Sequence, residues 1–168
     1  MKQFLLSAAL AIMAFSGSAQ TFDEWRNPRV NEVNRAPMHS SYFAYESFER
    51  AEEFIKSNSS NYLSLNGKWK FFWTKNSDTR PVNFQKPDFD DRNWAEMPVP
   101  GVWELNGFGD PTYVNMSYPW QNQFRNDPPN VPVENNHTGT YRRSFVVPDN
   151  WAGKDIIAHF GSVTSNIY

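Results

Sequence analysis

The residues best suited to chemistry lie in one short stretch, "GDPTYVNMSYPW", Gly109 to Trp120. It sets Tyr113, Tyr118 and Trp120 around one amide, Asn115, which stands between Val114 and Met116. Sugars are recognised by such a combination, with aromatic faces under their C–H bonds and planar amides or carboxylates bridging their hydroxyls. Two prolines speak against a strand interior, and the density of rings speaks against a flexible linker. The same residues also suit a loop that is merely stapled by its prolines and tyrosines. Composition alone leaves those two readings even.

Other chemistry finds less support. Glu104 and Glu134 sit on loops beside aromatics and are the candidates for paired acid–base work. A retaining glycosidase holds its two carboxyls about 5 Å apart, a proximity that spacing along the chain does not supply. His39, His137 and His159 are widely separated and lack the i+2, i+3 or i+4 partners of metal ligands, which favours ordinary structural histidines. "DFDD", Asp88 to Asp91, lacks the glycine and distal glutamate of a helix-loop-helix calcium site and reads as a solvated turn. There is no nucleophile elbow, phosphate-cradling glycine loop or dinucleotide fingerprint. The chain contains no cysteine, so thiolate metal sites, a cysteine nucleophile and a lipidated cysteine anchor are excluded. No catalytic residue and no metal ligand is therefore assigned in this chain. A formal net charge of −2 gives no electrostatic reason to expect nucleic acid.

The elements that must position Asn115 are short and β-like. Twelve prolines and eight glycines cut the 168 residues into small pieces, and aromatics make up 17 % of them, far above a disordered segment. In "YLSLNGKWKFFWTK" (Tyr62 to Lys75), Trp69, Phe71 and Trp73 alternate with Lys68, Lys70 and Phe72. The Asn66-Gly67 turn signal, with Leu63 and Leu65 before it, predicts a hairpin-like entry into a sheet. Further strands are predicted in Ala95 to Gly109, broken by Pro98 and Pro100, in Gly139 to Pro148, and in Asp155 to Val163. Short strands joined by long loops predict an all-β fold, a β-sandwich of jelly-roll type.

Before the sheet, residues 20–61 read as an extended arm whose large side chains (Trp25, Met38, Tyr42, Phe43, Tyr45) hold it to other surfaces. "ESFERAEEFIKS", Glu46 to Ser57, predicts a brief helix with Phe48, Ala51, Phe54 and Ile55 on one stripe. Residues 1–19 read as an export signal. Lys2 supplies its charge, Phe4 to Phe15 its apolar middle and Ser16 to Ala19 its small cleavage residues. A mature start at Gln20, and an exported product in a periplasm or outside the cell, are expected; the apolar run is too short to span a bilayer, and no membrane partner is expected. The last residues, Ser162 to Tyr168, read as a strand just starting, which suggests a truncated sequence and a sandwich incomplete at its C-terminus.

Four stretches taken in order resemble a known family: "DEWRNPRVNEVNRAPMHSSYFAYES", "SLNGKWKFFW", "MPVPGVWELNGFGDPTYVNMSYPW" and "PPNVPVENNHTGTYRRSFVVPDNW". Together they are similar to the N-terminal region of the β-galactosidases of glycoside hydrolase family 2, from about Trp25 to Tyr168. The resemblance implies that residues 62–168 are a galactose-binding-domain-like jelly roll preceding a catalytic (β/α)8 barrel. That barrel would supply both carboxylates of a retaining double displacement, and magnesium and sodium would belong to the full-length protein. It implies that the Tyr-x-Asn-x-Ser-Tyr-Pro run at Tyr113 to Pro119 is lent to the active site. Asn115 would then bond galactosyl hydroxyls and Met116 would line the pocket. The expected partners are a galactoside or glycan and the barrel, and the 168 residues alone are expected to be inactive. The alternatives are a free-standing carbohydrate-binding module and a family 2 hydrolase acting on another β-glycoside.

Overall fold

The computed structural model describes residues 24, 27, 29–111, 120, 122–125, 127, 130–164 and 167–168. Among them the regular structure is mostly strand, arranged as one three-stranded antiparallel sheet. Strand β1 (Gly67–Thr74) runs between β2 (Ala95–Val99) and β3 (Thr138–Arg142). The register sets Trp69 opposite Met97 and Phe71 opposite Tyr141. Alternate residues point to opposite faces, so Trp69, Phe71, Trp73, Met97 and Tyr141 share one side of the sheet.

That aromatic face is the core. Trp103, from the 3-10 turn Trp103–Asn106, and Phe108 close over it, with Phe71 at the centre. The Phe71 ring lies 4.7 Å from Phe108, edge-on, and 4.6 Å from Tyr141. Phe71 and Met97 are fully buried. Gly139 makes the closure possible, because a Cβ there would come within 2.5 Å of the Trp103 ring and 2.6 Å of Phe71.

The opposite face is covered by the loop that enters β2. Phe72 and Phe89 both pack on the buried Trp94 ring. Arg142 fixes this loop. Its guanidinium bonds the carbonyls of Phe89 (3.2 Å) and Lys86 (2.9 Å), pairs with the Asp91 carboxylate and lies over the Phe89 ring. Three acceptors on one planar fork hold the loop in register with the sheet.

Several expected elements are absent or shorter. Residues 62–66 carry no strand, so Asn66-Gly67 opens no hairpin; Gly67 instead takes a left-handed turn (φ 126°) into β1. The Leu65 carbonyl there accepts the Trp69 indole N–H at 2.7 Å. β3 ends at Arg142, and the run through Pro148 is not strand. Continuing the register, Phe145 would face Gly67, where β1 itself begins and ladder partners run out. Asp155 to Val163 is likewise not strand, because no described strand lies beside it.

The arm has no helix or strand over residues 30–46. Phe43 packs on Tyr45 and Tyr62 and is half-buried with Tyr45, whereas Met38 and Tyr42 are exposed, Tyr42 meeting only the His39 ring among the ring contacts of the described residues; Trp25 lies outside the described residues. The helix is one turn long, α1 (Phe48–Glu52), capped by Ser47, whose hydroxyl accepts from the Arg50 N–H. Its expected apolar stripe fails as a packing face: Phe48, Phe54 and Ile55 are exposed, and Phe54 is left-handed. Glu46 ties the segment down instead, accepting from both the N–H and hydroxyl of Ser60 and from the Ser59 hydroxyl. The Trp151 indole donates to the Ser60 carbonyl at 2.6 Å, joining residues 149–154 to the same spot. Among the described residues no helix is long and apolar enough to cross a membrane.

Candidate functional site

The candidate substrate residues Asn115 and Met116 lie outside the described residues, as do Tyr113 and Tyr118. What is described is the base of the stretch that carries them, on both sides.

The outgoing side is built by the core. The turn Trp103–Asn106 ends in a left-handed Gly107 (φ 88°), whose N–H bonds back to the turn's carbonyls. The chain then passes Phe108, which is seated on Phe71, and reaches Gly109, left-handed again at φ 71°. A Cβ on Gly109 would sit 3.3 Å from the Trp73 ring and 3.4 Å from His137 Nδ1. The backbone thus lies directly against the edge-to-face pair of Trp73 and His137, whose centroids are 5.0 Å apart. Both positions favour glycine for their positive φ, and at Gly109 the space is also tight, whereas Gly107 lies open.

The returning side begins at Trp120. It is left-handed (φ 64°), uncommon for so bulky a residue. Its indole N–H donates to the Asn135 carbonyl at 2.9 Å, and its ring meets Phe124 edge-on. Asn135, also left-handed at φ 53°, donates its own N–H to the Asn76 side-chain oxygen at 3.1 Å. Asn76 follows β1 by two residues and His137 immediately precedes β3. Both roots of the stretch therefore rest on Asn135–His137, at the end of the sheet where β1 leaves and β3 enters. The described residues before and after 112–119 thus meet near-neighbours in sequence, Gly109 at His137 and the Trp120 indole at Asn135.

The titratable groups nearby do not form a reaction centre among the described residues. Glu104 accepts from the Trp103 indole, and Glu134 is exposed in the turn before β3. Burial pushes the Tyr141 phenol up, and the nearby Glu104 charge adds to this. No group of three or more histidine, aspartate or glutamate side chains could hold a metal among the described residues. His39 bonds the Ser40 carbonyl and packs on Tyr42, His137 lies against Trp73, and His159 is exposed. Of the "DFDD" acids, Asp90 pairs with Arg92 and Asp91 with Arg142. The turn carries charge, but its acids serve arginines.

Trp73, Asn76, Asn135 and His137 were not singled out for a site by the sequence. The available signals were the Gly107–Gly109 pair and the Asn135–Asn136 dipeptide, residue types that tolerate left-handed backbone.

The family described as "Glycosyl hydrolases family 2, sugar binding domain" matches residues 62–168. The chain is 33 % identical over 155 residues to a beta-galactosidase of Priestia megaterium, covering 92 % of this chain and 15 % of that protein. It is 37 % identical over 143 residues to the beta-galactosidase of Halalkalibacterium halodurans, covering 85 % of this chain and 14 % of the relative. To that of Lactobacillus delbrueckii subsp. bulgaricus it is 39 % identical over 142 residues, covering 84 % and 14 %. The chain thus spans about a seventh of the length of these relatives.

Proposed function

The chain belongs to glycosyl hydrolase family 2 through its sugar-binding domain, and from that premise we propose that it is the N-terminal part of an exported β-galactosidase. Its substrate is a terminal, non-reducing β-D-galactoside. The two reacting carboxylates of the retaining mechanism belong to a barrel outside these 168 residues, which alone do not hydrolyse galactosides. The observation that carries this reading is the likeness to beta-galactosidases across most of the chain.

The proposed role of the chain is to present one loop. Asn115 bonds galactosyl hydroxyls, and Met116 lines the same pocket. What supports this role is that the described residues on either side, Gly109 and Trp120, are held at one end of the sheet, by Trp73 and His137 and by Asn135. Magnesium and sodium are proposed for the full-length protein, and no step of this proposal passes through them. The jelly roll is the proposed full architecture. The apolar residues Phe145, Val147, Ile157 and Phe160 are exposed here and suit a second sheet. Export rests on residues 1–19, and N-terminal sequencing of secreted material should begin at Gln20.

The test of the site is Asn115→Ala in the full gene product. Loss of a hydrogen bond to substrate should lower kcat/KM for an aryl β-galactoside by the equivalent of about 1–3 kcal/mol, with the fold unchanged. Kinetics equal to the parent's would remove Asn115 from the site.

A further inference from the structure

We propose that the aromatic groove formed by residues 41–56 is a docking site within the protein, filled by an apolar segment of the polypeptide that follows Tyr168. The proposal rests on the reading of the chain as the N-terminal part of a longer hydrolase.

The groove has a volume of about 610 Å³ and is lined chiefly by the rings of Tyr42, Phe43, Tyr45, Phe48 and Phe54. Phe43 and Tyr45 meet edge-on at 4.7 Å and are half-buried, whereas Phe48 is 73 % exposed and Phe54 86 %. Phenylalanine offers no hydrogen bond to a hydroxyl, so an apolar occupant suits these two rings better than a sugar does.

The groove is built on a segment that is held in place. Glu46 accepts from the Ser59 hydroxyl and from the N–H and hydroxyl of Ser60. Glu53 accepts from the Arg50 guanidinium and, at 2.8 Å, from the Asn58 amide. The Trp151 indole bonds the Ser60 carbonyl and the Lys154 ammonium bonds the Asn61 side chain, which ties the segment to residues that follow the sheet. Phe54 is moreover left-handed (φ 54°), its N–H bonded to the Ala51 carbonyl at 3.2 Å. Bulky residues adopt that backbone at a cost in free energy. Here the cost holds an apolar ring in solvent, where among the described residues it packs on no other ring. Burial of Phe48 and Phe54 under a partner would offset that cost.

Two observations identify the occupant. The chain spans 15 %, 14 % and 14 % of three relatives, so on the reading above most of the protein lies beyond these residues. The groove is also small. A stable interface between separate molecules uses about 20–30 residues a side, many more than line this groove. A segment of the same polypeptide needs no such area, because tethering gives it an effective concentration in roughly the millimolar range.

The experiment uses the full gene product. Phe54→p-benzoylphenylalanine places a photoreactive ring in the groove. Irradiation should join it to a peptide from beyond Tyr168, mapped by mass spectrometry, in a chain that keeps its own mass on a denaturing gel. In the unsubstituted product, hydroxyl radicals should oxidise Phe48 and Phe54 about tenfold more slowly than added N-acetylphenylalaninamide, close to Phe71, which is 1 % exposed. A doubled mass assigns the groove to a second copy and overturns the proposal. So does a crosslink confined to residues 1–168. Phe48 and Phe54 as reactive as the added standard also overturn it, whether or not an aryl β-galactoside then shields them. A gene product that ends at Tyr168 overturns the underlying reading as well, whereas the other adverse results leave that reading standing.

Discussion

Gly139→Ala tests whether the aromatic face, and through it the loop root, is set by steric fit. The new Cβ would lie 2.5 and 2.7 Å from two Trp103 ring atoms and 2.6 Å from Phe71. Carbon contacts are comfortable at about 3.5–4.0 Å, so one ring must retreat by about 1 Å. Phe71 cannot, since it is 1 % exposed and hemmed in by Phe108 and Tyr141. Trp103 must move, taking with it the turn that leads to Gly107, Phe108 and Gly109. Overpacking of this kind costs about 1–3 kcal/mol, and two clashing rings place it near the upper end. For a domain of this size that is a drop in Tm of about 5–10 °C, read by near-ultraviolet circular dichroism. Gly139 does not have the positive φ of Gly107 or Gly109, so alanine brings no backbone strain and the loss is steric. The control follows directly. Trp103→Leu vacates the contested space, and the double variant should be less destabilised than the sum of the singles by at least about 1 kcal/mol. A single variant within about 1 °C of the parent, or strict additivity in the pair, would refute the steric account.

Two further predictions concern the pieces that hold the loops. Arg142→Lys should recover less than half of the roughly 2–3 kcal/mol lost in Arg142→Ala, by urea unfolding, because an ammonium cannot serve the Lys86 carbonyl, the Phe89 carbonyl and Asp91 together. Glu46 is held down to a pKa of about 2, chiefly by the Ser60 hydroxyl, with the Ser59 hydroxyl and the Ser60 N–H also donating to it. A carboxylate depressed below its ordinary 4.5 stabilises the fold at higher pH, and that contribution is lost as pH falls from 4.5 through 2. The Tm gap between parent and Glu46→Gln should therefore be constant from pH 7 to 5 and close below pH 4.5; a gap that persists at pH 2 would contradict it.

The strand that matters most was legible because its signal is internal. Trp69, Phe71 and Trp73 alternate with Lys68 and Lys70, and the alternation maps directly onto one covered face. Residues 143–148 and 155–163 alternate almost as well but are not strand. A strand is completed by a neighbour, and periodicity cannot report whether one is present. The helix failed for a different reason: its stripe is correct in spacing, yet a five-residue turn with nothing packed on Phe48 buries no stripe. The site divides the same way. Local composition drew attention to the stretch from Gly109 to Trp120 and left its role open, whereas the described residues around its two ends include Trp73, Asn76 and the 135–137 stretch. These positions are separated by some sixty residues, like the 59 between Asn76 and Asn135, and only the sheet register brings them together.

That division explains why the loop root sits where it does. Among the described residues the buried apolar side chains are few, with Phe71, Trp94 and Met97 the principal ones. A small core gives accurate placement only close to itself, since each further residue adds freedom that packing does not remove. The outgoing root leaves Phe108 while that ring is still seated on Phe71, and Gly109 follows with no intervening residue. The returning root reaches the sheet through two hydrogen bonds, Trp120 to Asn135 and Asn135 to Asn76. One root is therefore fixed by ring packing and the other by polar contacts, and the two should respond differently to perturbation. Shape changes at Gly139 or Gly109 act on the outgoing side, whereas loss of the Asn76 carboxamide acts on the returning side.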